Sequence, residues 1–358
     1  MATGFHSLRV KKIIRETSDC VSVTFEIPLD LSTAFQYKEG QYITIKKTID
    51  GHEVRRSYSI CKAPHENSVT IAVKKVDGGL FSTYATEVLK ENDLLDVMPP
   101  MGKFIARVNN DPQSHYLAIA AGSGITPVIA IIKHTLHTQP DSKVTLVYGN
   151  RSRHSIIFFE ELEELKNRFM NRFNLIHILS REKTDAEIFH GKIDSQKLTA
   201  LQAVIDYAKM KSVYLCGPES MIFNASDFLK SQGVQEENIH FELFTSSTGN
   251  ASAKTNVEES NDASPKSHVT IRLDGRTFSF DLSMKGNSIL DAALQQGADL
   301  PFACKGGVCC TCRAKLLEGK VHMDVNYALE KEEVEQGFIL TCQSHPLTEN
   351  VFVDFDEK

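Results

Sequence analysis

A chain of 358 residues in which 40 Lys and Arg face 46 Asp and Glu carries a formal charge of −6. That is too mild and too evenly mixed to draw a nucleic acid or another polyanion. The length suffices for two to four domains with cores of their own, and no apolar stretch nears the roughly 20 residues a membrane helix needs.

Residues 8–108 read as short strands with turn punctuation. Val21-Ser22-Val23-Thr24-Phe25-Glu26-Ile27 alternates at period two, as does Gln41-Tyr42-Ile43-Thr44-Ile45-Lys46. The Asp50-Gly51 hairpin signal follows, and residues 69–74 make a further strand. Many short strands at close spacing predict a small antiparallel β-barrel over residues 1–110.

Two features of that barrel bear on chemistry. On the strand Arg55-Arg56-Ser57-Tyr58-Ser59-Ile60, alternation puts Arg56 and Tyr58 on one face and Ser57 and Ser59 on the other. Arg56 and Tyr58 offer a cation for a phosphate and a flat ring for a cofactor; a plain exposed strand face is the competing reading. Gly78-Gly79-Leu80-Phe81-Ser82-Thr83 opens a helix expected over residues 81–89. Glycines at a helix start let N–H groups reach an anion, although a simple Ser/Thr-capped turn explains the same letters.

Beyond Asp111-Pro112 the pattern changes. His115-Tyr116-Leu117-Ala118-Ile119-Ala120-Ala121 is almost wholly apolar, as a strand covered on both faces should be. Gly122-Ser123-Gly124-Ile125-Thr126-Pro127 and an apolar helix follow. Strand, glycine turn and helix are the setting for a dinucleotide pyrophosphate, with Pro127 suited to the first helical turn. Further strands are expected over residues 144–149, 175–180 and 213–216, with a helix over residues 158–169. Alternation of this kind predicts an α/β doubly wound domain over residues 111–245. Ligands on such sheets lie beyond the carboxyl ends of the strands. Three of these ends carry candidates: the glycine turn, Ser180-Arg181, and Cys216-Gly217-Pro218. A guanidinium and a hydroxyl at Ser180-Arg181 suit a 2′-phosphate, and hence NADPH over NADH, although a solvated loop start reads the same way.

Residues 246–267 turn to Ser, Thr, Asn, Ala, Asp and Glu without aromatics, the composition of a flexible linker. A hairpin about Asp274-Gly275 opens residues 268–358, and Asn287 or Ser288 should cap a helix ended by Gly297. Then comes Pro301-Phe302-Ala303-Cys304-Lys305-Gly306-Gly307-Val308-Cys309-Cys310-Thr311-Cys312-Arg313. Cys304, Cys309 and Cys312 stand in a C-x₄-C-x₂-C array and Cys342 follows, the plant-type spacing for a [2Fe–2S] cluster. Two irons and two sulfides need four thiolates, and Gly306 and Gly307 let backbone N–H groups approach the sulfurs. A structural zinc is the alternative, but zinc sites favour two short knuckles of similar reach. Cys310 only packs in this reading. With four of the eight Cys placed like metal ligands and the rest scattered, no disulfide framework is expected, and hence a reducing compartment, most simply the cytoplasm. The first residues show no secretory pattern.

Together, Arg56-Ser57-Tyr58-Ser59, Gly79-Leu80-Phe81-Ser82, the glycine turn, Cys216-Gly217-Pro218 and the cysteine array resemble the ferredoxin–NADP reductase superfamily. More narrowly they resemble its members with a C-terminal plant-type ferredoxin domain of α+β fold. The resemblance implies FAD, NADPH or NADH, and a [2Fe–2S] cluster as cofactors. It implies Arg56 on the FAD pyrophosphate, Tyr58 against the flavin, Ser59 near flavin N5, and Gly79, Leu80, Phe81 and Ser82 about the FAD phosphates. Gly122, Gly124, Thr126 and Pro127 would hold the nicotinamide nucleotide, with Cys216, Gly217 and Pro218 beside its ring. Glu242-Leu243-Phe244 is similar to the family's acidic-x-aromatic ending, with Glu242 near the reacting rings and Phe244 covering the flavin. Hydride would pass from NADPH to FAD, and single electrons to the cluster and on to a terminal oxygenase or hydroxylase. A non-catalytic iron–sulfur carrier is the alternative of another class.

Overall fold

The computed structural model describes residues 4–107, 114–244 and 265–357. It divides into two bodies, one holding the barrel and the parallel sheet and the other the C-terminal domain.

The barrel strands are β1 (His6–Thr17), β2 (Cys20–Glu26), β3 (Tyr42–Ile49), β4 (His52–Ser59), β5 (Thr70–Lys74) and β6 (Leu94–Val97). They run in the order β4-β3-β6-β1-β2-β5, and an Ile60–Ile71 bridge joins the two edges. Asp50 and Gly51 both take positive φ, 50° and 80°, the conformation a two-residue hairpin demands. Leu8, Val10, Val23, Ile43, Ile45 and Ile71 fill the interior. Helix α1 (Leu80–Glu87) follows the double glycine, starting one residue before its expected place.

The second sheet comprises β7 (His115–Ala121), β8 (Lys143–Asn150), β9 (Phe173–Leu179), β10 (Met210–Gly217) and β11 (Ile239–Leu243). All its ladders are parallel, in the order β11-β10-β7-β8-β9. Its helices are α2 (Ile125–Thr138), α3 (Phe159–Arg168), α4 (Ser195–Leu201) and α5 (Glu219–Ser231). β7 and β10 are buried along nearly their whole length, which is why their residues are almost uniformly apolar. Sequence order reverses between β7 and β10, and in an open α/β sheet that switch point is where a ligand crevice forms. β11 is not among the expected strands, although Ile239–Leu243 alternates at period two.

The C-terminal body is built on β12 (Lys266–Leu273), β13 (Arg276–Ser283), α6 (Ile289–Gln295), β14 (Arg313–Glu318) and β15 (Val321–Met323), then α7 (Lys331–Glu335), β16 (Phe338–Leu340), β17 (Ser344–Pro346) and β18 (Asn350–Asp354). Its main sheet runs β13-β12-β18-β14-β16, mixed in direction. Ser288 is the cap of α6, its Oγ accepting the Asp291 N–H at 3.2 Å. β12 starts at Lys266, inside the expected linker; most of that linker lies outside the described residues. The architecture is thus an antiparallel β-barrel, an α/β doubly wound domain and an α+β domain. Among the described residues no helix is long and apolar enough to cross a membrane.

Candidate active site

The glycine turn is shaped by what packs against it. Gly122 takes φ 54°, and the Tyr148 hydroxyl on β8 donates to its carbonyl at 2.9 Å. A Cβ on Gly124 would lie 2.1 Å from the Cys216 carbonyl oxygen and 2.9 Å from the Gly217 nitrogen. Only a residue without a side chain allows the ends of β7 and β10 to meet this closely. The turn therefore presents backbone N–H groups at the start of α2, where the helix dipole favours an anion. Thr126 and Pro127 are buried in that first turn, and Thr126 Oγ1 donates to the Ser123 carbonyl at 3.0 Å.

Three candidate residues converge beside this switch point. Cys216 and Glu242 are register partners on β10 and β11, and Ser59, the last residue of β4, donates from Oγ to Glu242 Oε2 at 3.2 Å. Cys216 is fully buried, which holds its thiol well above the ordinary range with the Glu242 carboxyl adding to the effect. Burial pushes Glu242 up to about 8, and the Ser59 hydrogen bond opposes that. Neutral acid, thiol and hydroxyl thus surround one point where a barrel strand meets the sheet.

Tyr58 lies against Phe81 of α1, ring centroids 5.5 Å apart, so the Arg-x-Tyr-Ser strand and the double-glycine helix share one surface. Ser82 Oγ accepts the Val76 N–H at 3.1 Å and donates to the Gly79 carbonyl at 3.2 Å, shaping the glycine loop. Arg56 Nη1 donates to the Arg55 carbonyl at 2.7 Å. Pro218 is the N-cap of α5, its carbonyl accepting the Ile222 N–H at 3.1 Å. Phe244 is exposed at the end of β11.

At the end of β9, Ser180 bonds the Asn150 carbonyl through both its N–H, at 2.9 Å, and its Oγ, at 3.2 Å. The Arg181 N–H is held by the Arg151 carbonyl at 2.8 Å, and Arg181 is exposed. Asn150 and Tyr148, which anchor two of the candidate strand ends, were not found from the sequence. A tyrosine closing a buried strand was the available signal, since its hydroxyl needs a partner.

In the C-terminal body the cysteines come in two pairs. Cys309 Sγ donates to Cys304 Sγ at 3.2 Å, and Cys312 hydrogen-bonds Cys342. The Cys304 thiol is drawn down to about 6, chiefly by the Cys309 hydrogen bond and then by N–H groups of Gly306, Val308 and Cys309, against burial. Gly307 has φ 72°, and a Cβ there would meet the Val325 carbonyl oxygen at 2.8 Å. Gln343 Nε2 straps the loop, donating to the carbonyls of Lys305 at 2.9 Å and Cys342 at 3.0 Å. Two pairs of thiols under inward N–H groups fit a dinuclear cluster, which takes two thiolates on each iron. Cys310 does more than pack, because its Sγ donates to the Ala328 carbonyl at 3.2 Å.

Comparison with known proteins agrees in order and extent. Residues 7–105 match an oxidoreductase FAD-binding domain, residues 118–227 an oxidoreductase NAD-binding domain, and residues 271–347 a 2Fe-2S iron-sulfur cluster binding domain. One subunit of the 1,2-phenylacetyl-CoA epoxidase of Escherichia coli K12 is 45% identical over 357 residues, covering 99% of both chains. The chain belongs to the ferredoxin–NADP reductase superfamily. This reductase is also 33% identical to the ferredoxin reductase component of the Rhodococcus rhodochrous 3-ketosteroid-9-alpha-monooxygenase, over 97% of its own length and 96% of that protein's. The structure of phthalate dioxygenase reductase shares its fold, with a TM-score of 0.58 at 22% identity and 98% of each chain covered. The reductase is an NAD(P)H oxidoreductase that uses FAD and a [2Fe–2S] cluster.

Proposed function

We propose that this reductase carries electrons from NADPH to the oxygenase component of a phenylacetyl-CoA epoxidase, in phenylacetate catabolism in the cytoplasm. The observation that carries the reading is 45% identity to a subunit of that enzyme over 99% of both chains. The domains are taken as residues 1–110, 111–245 and 268–358, joined by residues 246–267.

When bound, FAD turns a hydride equivalent into electrons that a one-electron [2Fe–2S] cluster can accept. The chain's own task is placement. Arg56, Gly79, Leu80, Phe81 and Ser82 hold the FAD phosphates, and Tyr58 and Phe244 cover the flavin faces. Gly122, Gly124, Thr126 and Pro127 receive the nucleotide pyrophosphate on N–H groups. Cys216, Gly217 and Pro218 seat the nicotinamide, and Ser180 with Arg181 holds the 2′-phosphate. Ser59 and the protonated Glu242 direct hydrogen bonds and exclude water where the rings meet; no general base is needed for hydride movement. Cys304 with Cys309 and Cys312 with Cys342 ligate the two irons.

The test is reconstitution of purified reductase, NADPH and the epoxidase oxygenase subunits with phenylacetyl-CoA. Epoxide formation that depends on the reductase supports the reading. Ready NADPH oxidation and cytochrome c reduction without epoxide would reassign the partner to another oxygenase, such as a steroid monooxygenase.

A further inference from the structure

Lys133 sits on α2, nine positions after Gly124, and its side chain is only 6% exposed. A buried ammonium is costly unless it is paired. Its Nζ donates to both carboxylate oxygens of Glu66, at 3.2 and 3.3 Å, and to Glu161 Oε1. Lys62 Nζ donates to the same Glu161 oxygen at 2.6 Å and lies 3.5 Å from Glu66. Two cations and two anions therefore close a ring of alternating charge. Burial pushes the Glu161 carboxyl up, but Lys133 and Lys62 more than reverse this and keep it ionised.

The placement of the four is what matters. Lys62 and Glu66 belong to the segment leaving β4, starting three residues after Ser59, and Glu66 Oε2 is fixed by the Ala63 N–H at 2.6 Å. Lys133 and Glu161 belong to α2 and α3 of the nucleotide domain. The ring thus ties the flavin strand to the helix that carries the pyrophosphate turn. A cleft of about 590 Å³ opens beside it, lined in part by Glu16, Lys62 and Glu161, and none of the candidate cofactor residues lines that cleft. A quartet of which only Lys133 is buried, its three partners being about a quarter exposed, adds little net stability, but its hydrogen bonds fix distance and angle. Hydride transfer needs that fixity, because the reacting atoms must stand roughly 3–3.5 Å apart and a 1 Å error costs on the order of 100-fold.

We infer that the Lys62–Glu66–Lys133–Glu161 ring is a positioning device that sets the approach of the flavin strand to the nucleotide turn. The inference rests on the reductase reading and adds four positioning residues to it.

The test uses the full-length, FAD-loaded chain. Lys133→Met removes the charge at similar volume, Lys133→Arg restores it, and Glu66→Gln is a milder break should the methionine variant fold poorly. Three quantities are read: NADP⁺ affinity, the rate of flavin reduction per bound flavin at saturating NADPH, and amide hydrogen exchange over residues 60–66 and 125–138. Expected for Lys133→Met and Glu66→Gln is a loss of rate on the order of 10–100-fold with faster exchange over residues 60–66. NADP⁺ affinity should stay within about threefold of the wild type, and Lys133→Arg should recover most of the rate. Unchanged rate and exchange in both variants, or loss of bound FAD without loss of rate per flavin, overturns the inference. Failure of the wild type itself to reduce its flavin with NADPH would instead sink the reductase reading.

Discussion

Ser59 Oγ donates to Glu242 Oε2 at 3.2 Å across 183 positions of sequence. This contact joins the last residue of β4 to β11, at the height where β11 runs beside Cys216. Hydroxyl and carboxyl hold each other here, so the titration of the carboxyl reports on the site.

Burial raises Glu242 from an ordinary 4.5 to about 8, with Ser59 opposing. Between those values the native chain keeps a proton that the unfolded chain releases. Stability from this group is therefore complete below about 4.5 and declines as pH rises through 8. The residue keeps part of its surface, so solvent screening reduces the effect. Glu242→Gln should match the wild type at low pH and exceed it above pH 8 by on the order of 1–2 kcal/mol. Unfolding midpoints at several pH values decide this: parallel curves for the two proteins would show that Glu242 titrates normally.

A second prediction concerns the two glycines of the turn. A Cβ on Gly124 meets the Cys216 carbonyl oxygen and carbon at 2.1 and 2.5 Å, backbone atoms that move only if β10 moves. Gly124→Ala should cost about 2–4 kcal/mol and abolish NADP⁺ binding. Gly122 has positive φ, but a Cβ added there would meet no atom within 4 Å, so Gly122→Ala should cost only backbone strain of about 1–2 kcal/mol. Thermal unfolding and nucleotide titration of both variants check the contrast. Equal behaviour would mean that Cys216 does not size the turn.

Local chemistry was legible in the sequence and distant pairing was not. The cysteine spacing, the Asp50-Gly51 and Asp274-Gly275 hairpins and the glycine turn each encode a backbone conformation within a few residues. β11 escaped although Ile239-His240-Phe241-Glu242-Leu243 alternates at period two, because five residues are a short run and the stretch was read only for its acidic-x-aromatic ending. The Lys62, Glu66, Lys133 and Glu161 ring escaped for a related reason. Charged residues scattered over about 100 positions read as solvated surface until the fold closes them on one another.

The Ser180-Arg181 assignment predicts a split between nucleotides. Backbone bonds to Asn150 and Arg151 fix the strand end while leaving Arg181 exposed to receive an anion. A charge-assisted contact to the 2′-phosphate is worth about 1.5–3 kcal/mol. Arg181→Ala should raise KM for NADPH on the order of tenfold or more and leave KM for NADH almost unchanged. Steady-state kinetics with both nucleotides measure it, and equal increases would remove Arg181 from the 2′-phosphate site.

The two cysteines excluded from and included in the proposed ligand set should behave oppositely. Cys342 pairs with Cys312 and is carried by a backbone that Gln343 straps to Lys305. A serine there offers a hydroxyl that stays protonated near neutral pH, so one iron loses a thiolate. Cys342→Ser should keep NADPH-driven flavin reduction but lose iron, acid-labile sulfide and cluster-dependent cytochrome c reduction. Cys310 already spends its thiol on the Ala328 carbonyl, so Cys310→Ser should retain full iron content. Iron and sulfide assays on the two variants, with flavin reduction as the control, give a direct comparison. Undiminished cluster-dependent cytochrome c reduction in Cys342→Ser would mean that electrons leave the flavin by another route.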